Sequence, residues 1–107
     1  MSKSIGYLYT EKRASGEKVT IFSESKPSLG AYNNRIKSIV LPRYKGWNTW
    51  YTITFFEHEN YQGRQFTLGN KIKCSETQIY VRRLDNLWGI SSYRVQEYSD
   101  KKTCIIL

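Results

Sequence analysis

The stretch Phe56-Glu57-His58-Glu59-Asn60-Tyr61-Gln62-Gly63-Arg64 decides how this chain of 107 residues is read. An aromatic residue, four intervening residues, a second aromatic, one more residue and then glycine follow in order. Before it, Thr52-Ile53-Thr54-Phe55-Phe56 alternates in part at a period of two, and Val19-Thr20-Ile21-Phe22 looks similar. A strand that folds back on itself within a few residues needs a residue at positive φ, which glycine adopts without penalty. Phe56 and Tyr61 then cover the folded turn. No window carries a sustained apolar stripe at helical spacing, and aromatic residues reach 15%. The fold class is therefore all-β.

Laying the chain on itself extends the reading outward. With Gly16 over Gly63, Leu8 falls over Phe55, Tyr9 over Phe56, Glu17 over Arg64, Val19 over Phe66, Thr20 over Thr67 and Ile21 over Leu68. Further on, Ile36-Lys37-Ser38-Ile39 matches Ile90-Ser91-Ser92-Tyr93, with a longer spacing in the second unit. Each unit runs strand, glycine-bearing turn, strand, polar loop, and a short strand carrying serine. One unit alone leaves an apolar face uncovered, whereas two make a sandwich.

This order of elements resembles the βγ-crystallin family. The Phe56 to Arg64 stretch is similar to the family's signature hairpin. Ile90-Ser91-Ser92-Tyr93-Arg94-Val95 is similar to its closing strand, whose second serine, here Ser92, caps the folded hairpin. The first unit carries Tyr9, then Ala14 where a second aromatic is expected, then Gly16 and Ser38. The resemblance implies a βγ-crystallin-type Greek-key β-sandwich of about eight strands. It implies one domain over about residues 1–96, with Greek key one at about 5–42 and Greek key two at about 50–96. A polar tail follows at 97–107.

The family also suggests calcium, through two Asp or Asn residues, two variable ones, Ser or Thr, and Ser in each repeat, with ligands drawn from both repeats. Here the first copy reads Asn33-Asn34-Arg35-Ile36-Lys37-Ser38. Lysine stands where the hydroxyl ligand is expected, and an ammonium offers no lone pair and repels the ion. The second copy reads Leu87-Trp88-Gly89-Ile90-Ser91-Ser92, and its polar pair Asp85-Asn86 comes two residues too early. The expectation is no obligatory cofactor and weak or lost calcium binding. Asn33, Asn34, Asp85 and Ser91 are the residues that would carry what remains.

Lys and Arg number 17 against 9 Asp and Glu, a net charge of +8. Such charge favours anionic partners. It is scattered in pairs such as Lys12-Arg13 and Arg82-Arg83, with no nucleic-acid motif, which also fits a plain solvated basic surface. Between the repeats, Arg43-Tyr44-Lys45-Gly46-Trp47-Asn48-Thr49-Trp50-Tyr51 interleaves aromatic and basic residues. Lys45 and Trp47 are candidates for a surface that stacks rings while neutralising anions. The alternative is a linker whose Trp50 or Tyr51 plugs the core.

Residues 1–10 lack the basic start and apolar run of a leader, and no stretch is long and apolar enough for a bilayer, so the expected location is cytoplasmic. Cys74 and Cys104 do not make a disulfide framework and read as thiols. The end, Cys104-Ile105-Ile106-Leu107, has the pattern of a prenylation box. Lys101 and Lys102 would add the electrostatic signal that holds a singly lipidated protein on an anionic membrane. The other reading of these residues is a last strand with Cys104 as a small apolar residue. His58 is the sole histidine. It lies at a variable position of the hairpin, with Glu57 and Glu59 on a solvated edge, so no catalytic residue is expected. A non-enzymatic structural or binding module is the leading expectation. A prenyl-anchored peripheral membrane protein and a basic toxin or inhibitor are the alternatives.

Overall fold

The structure is a computed structural model that describes residues 3–42, 49–69, 81–85 and 88–99. Alternation along β4 (Thr49–His58) sets the arrangement of the second repeat. Tyr51, Ile53 and Phe55 are buried, while Trp50, Thr52 and Thr54 face the other way and are half-buried. A strand with one buried face must lie in a sheet that covers a core. β4 is the centre of a three-stranded antiparallel sheet, flanked by β5 (Gln62–Gly69) and β7 (Ser92–Ser99). The first repeat builds β1 (Ser4–Glu11), β2 (Ser15–Phe22) and β3 (Ser38–Pro42), joined in the order β2-β1-β3-β6 by β6 (Val81–Asp85).

β6 comes from the second repeat yet pairs with β3 of the first. The reciprocal crossing is slight. Lys26 alone bridges Tyr93 of β7, through N–H to carbonyl bonds of 2.8 and 3.0 Å. On either side the bonds are irregular, Ser25 Oγ accepting the Val95 N–H at 2.8 Å and the Leu29 N–H reaching the Ser91 carbonyl at 2.9 Å, while Pro27 faces away from β7. The Pro27 carbonyl accepts the Asn60 N–H at 2.9 Å. Seven strands and a bridge thus stand, among the described residues, where about eight strands were expected. β7 also runs through Ser99, pairing Glu97 with Tyr51 and Tyr98 with Trp50. Residues 97–99 are therefore sheet residues and not the beginning of the polar tail.

One core lies between the sheets. Leu8, Ile21, Ile39, Ile53, Phe55 and Ile90 are fully buried in it, drawn from both repeats. Phe55 contacts the rings of Phe66 and Tyr93 at centroid distances of 5.2 and 6.1 Å, and Trp88 meets Phe66 edge-on. Tyr51 plugs this core, whereas Trp50 lies on the outer face.

The two hairpins are folded alike. Gly16 and Gly63 have φ of 82° and 87°. Arg13 and Ala14 in the first turn, and Asn60 and Tyr61 in the second, are also left-handed. Non-glycine residues there cost about 1–2 kcal/mol each, so other contacts must hold the turn. Ser38 Oγ accepts the Ala14 N–H at 3.1 Å and donates to the Glu11 carbonyl at 2.6 Å. Ser92 Oγ accepts the Tyr61 N–H at 3.1 Å and donates to the His58 carbonyl at 2.7 Å. Both serines are fully buried. The residues before them repeat the match: the Lys37 N–H reaches the Tyr9 carbonyl at 2.8 Å, and the Ser91 N–H reaches that of Phe56 at 2.9 Å.

Ser92→Ala leaves the Tyr61 N–H and His58 carbonyl without their shared partner. Urea unfolding should show a loss of about 2–3 kcal/mol, with Ser38→Ala costing a similar amount. A loss below about 0.5 kcal/mol for both would mean that the turns hold without the hydroxyls.

Candidate functional site

The family's cation loops lie where the two repeats meet. In the first, a single 3-10 turn at Gly30–Tyr32 leads into Asn33 and Asn34, the latter at φ 61°. Asparagine tolerates this left-handed conformation better than most residues. The Asn34 N–H donates to the Ile90 carbonyl at 3.0 Å, and Ser91 Oγ donates to Asn34 Oδ1 at 3.3 Å. Gly89 lies so near that a Cβ there would stand 2.7 Å from Asn34 Cα and Oδ1. Glycine is required by this close approach. The loops therefore close on each other through their own atoms.

Asn33 is committed beside them. Its Oδ1 accepts the Leu29 N–H at 2.9 Å, a donor it shares with the Ser91 carbonyl, and its Nδ2 donates to Ser28 Oγ at 3.4 Å. Glu59, expected on a solvated strand edge, instead follows β4 in the turn and reaches across to the other repeat. Hydrogen bonds from Ser28 and Asn33 hold its carboxyl below the usual carboxylate range. Its partners lie far off in sequence, so the contact was missed. The available signal was its place in the tip of the one well-formed hairpin motif.

The remaining candidates fall elsewhere. The structure brings Asn34 and Ser91 together, but Asp85 ends β6 as the register partner of Ser38, outside the loop that carries Ser91. Lys37 is exposed, with Nζ 3.7 Å from Glu11 Oε1. Lys45, Trp47, Cys74 and Cys104 lie outside the described residues.

Calcium asks for six to eight oxygens, several of them charged. Among the described residues no three His, Cys, Asp or Glu side chains come together. The oxygens of Asn33, Asn34 and Ser91 are engaged with protein partners, and Glu59 is the one carboxylate beside them. This donor set fits calcium poorly.

On the hairpin, Phe56 meets Tyr61 edge-on at 5.6 Å, and the Arg94 guanidinium lies 4.3 Å from the Tyr61 ring centroid. Ala14 and Val40 stand at the matching places in the first repeat. Arg64 bonds Glu57 at 2.6 Å and holds that carboxyl below its ordinary range. His58 Nε2 lies 3.7 Å from the same carboxylate, on an exposed turn. These are surface ion pairs of the kind that contribute little to stability.

Two antiparallel sheets, paired folded hairpins, serine caps and an exchanged strand define a βγ-crystallin-type Greek-key sandwich. The chain is similar to the crystal structure of IPSE/alpha-1 from Schistosoma mansoni eggs, with a TM-score of 0.60 and 22% identity over 87% of this chain and 84% of that one. A second structure, of IPSE alpha-1, an IgE-binding crystallin, matches with a TM-score of 0.64 and 19% identity over 94% of this chain and 95% of that one. At such identity the likeness is one of fold. No protein-family model matches the chain, and no curated protein does.

The lowered pKa of Glu59 makes the loop contact sensitive to acid. Its contribution is present in full above the unfolded value of 4.5 and is lost as pH falls through the lower folded value. NMR titration should find the Glu59 carboxyl titrating below 4.5 in the native chain and moving up in a Ser28→Ala, Asn33→Ala variant. An unchanged midpoint in that variant would show that the two side chains do not bind Glu59.

Proposed function

We propose that the chain is a non-catalytic binding module of crystallin type, its inter-repeat loops held by its own side chains and its calcium binding weak or lost. The closure of Asn34 on Ser91 and Gly89 carries this reading, because the Asn34 Oδ1 that a cation would need already accepts the Ser91 hydroxyl. Lys37, paired with Glu11, supports it from the other half of the loop pair. The touching titratable groups on the hairpin, Glu57 with Arg64 and His58, are an exposed ion cluster without a nucleophile among them.

The same fold serves in an IgE-binding crystallin, so this architecture is compatible with macromolecular recognition. For the present chain, the net charge of +8 favours an anionic partner. The prenyl-anchored alternative rests on the Cys104-Ile105-Ile106-Leu107 pattern alone. Among the described residues no helix is long and apolar enough to cross a membrane.

A ligand that binds only the folded chain stabilises it by RT ln(1 + [L]/Kd) and so raises its melting point. Melting in EDTA and in millimolar calcium should give midpoints within about 1 °C of each other, and calorimetric titration should give no binding heat. A rise of about 5 °C or more would show a working calcium site and contradict the proposal.

A further inference from the structure

The repeats match position by position, counting from Gly16 and Gly63 in the hairpins and from Ser38 and Ser92 in the closing strands. Each outward residue of one sheet therefore has a counterpart on the other. The outer face of the first repeat's sheet carries Tyr7, Val40 and Pro42, with Phe22, 47% exposed, at one end. The counterparts in the second are Thr54, Arg94, Gln96 and Gly69. The buried faces meet the same demands in both repeats, whereas the outer faces are free to differ, even though Thr20 and Thr67 remain alike there.

On the second sheet, opposite buried Tyr51, Ile53 and Phe55, three rows of outward residues lie beyond Phe56, which Tyr61 of the folded hairpin covers. Trp50 and Tyr98 form the first, their rings stacked at a centroid distance of 4.4 Å and 14° from parallel. Thr52 follows, flanked by Gln96 and by Gly69, which leaves the floor beside it without a side chain. Thr54 forms the third with Thr67, whose hydroxyl lies 2.8 Å away, and with Arg94. Thr67, Gln96 and Arg94 are exposed.

A sugar ring presents an apolar C–H face and a rim of hydroxyls. The indole and phenol rings supply a flat apolar partner for the first. Thr52, Thr54, Thr67 and Gln96 supply donors and acceptors for the second. A protein partner would call for a buried apolar centre, which this face lacks. A nucleic acid or a densely sulfated glycan would call for a track of several cations, and these rows hold one. That cation, Arg94, has no carboxylate beside it in the three rows, and the chain carries +8 overall. Charge and polar chemistry therefore agree on one occupant.

We propose that this face binds a sparsely charged acidic glycan, a uronate-bearing oligosaccharide lying along β4 from Trp50 to Thr54, a run of about 13 Å. The site deepens the reading of the chain as a binding module and rests on it. The test is an NMR titration of the full chain with a hyaluronan hexasaccharide, which carries one carboxylate per disaccharide, at physiological salt. A neutral cello-oligosaccharide and single-stranded DNA serve as comparisons.

The Trp50 indole and the Thr54, Thr67 and Gln96 signals should shift with the hyaluronan fragment. Tyr98→Leu and Thr54→Val leave the charge unchanged, and each should weaken binding about fivefold to tenfold while melting as cooperatively as the parent. Lys12→Ala, on the first repeat's hairpin, should act only through a loss that added salt removes. Shifts scattered over lysines and arginines, with both neutral variants binding normally, would overturn the site. So would equal or tighter binding of the neutral oligosaccharide or of DNA, or no binding at all. Failure here with calcium still without effect on melting would leave the binding-module reading standing. A calcium-dependent melt would remove that reading instead.

Discussion

Two serine hydroxyls carry the turns on which this molecule depends. A β-hairpin folded down over its own sheet places residues such as Ala14 and Tyr61 in a left-handed conformation that their side chains disfavour. A buried hydroxyl that accepts from one end of the turn and donates to the other makes the open form costlier, since opening strands two backbone groups. Ser38 and Ser92 do this with bond lengths that agree within 0.1 Å between repeats. Each serine lies at the start of the closing strand, so the bonds also set how β3 lies on β1 and β7 on β4.

The loops between repeats follow from that placement. Once the Ser91 N–H is tied to the Phe56 carbonyl, Gly89 and Ile90 come against Asn34, and Leu29 comes within reach of the Ser91 carbonyl. The junction is a contact between repeats, as is the β3–β6 pairing. A core shared by both sheets, with strand exchange on one side, couples their folding. Neither repeat has a buried face of its own to keep. The outer faces are relieved of that coupling, and there the repeats part company, with Tyr7, Val40 and Pro42 on one sheet where Thr54, Arg94 and Gln96 stand on the other.

Much of the fold was legible because backbone geometry constrains residue type. Gly63 and Ser92 mark a turn and its cap, and the weaker Gly16 and Ser38 mark positions that make the same bonds. The left-handed Arg13, Ala14, Asn60 and Tyr61 were not legible, since the clamp and not the residue type holds them there. The strand expected from the first repeat shrinks to a bridge at Lys26, where a Ser25 hydroxyl and an offset Leu29 N–H take the place of regular ladder bonds. Asn34 and Ser91 were named from one motif and do touch. Asp85, chosen for its charge, belongs to a strand whose partner is β3. Glu59 reads as a solvated carboxylate until the fold brings Ser28 and Asn33 to it. Trp50 and Tyr51 looked interchangeable as core plugs, and strand parity separated them.

Native-state hydrogen exchange of backbone amides, measured in EDTA and again in millimolar calcium, tests most directly whether the protein's own bonds hold this architecture. The Ala14 and Tyr61 amides, which donate to the serine hydroxyls, and the Asn34 amide, which donates to Ile90, should be protected to the same degree in both buffers. Protection of Asn34 and Tyr61 that develops only when calcium is added would show that the ion, and not the serine and asparagine contacts, closes the molecule.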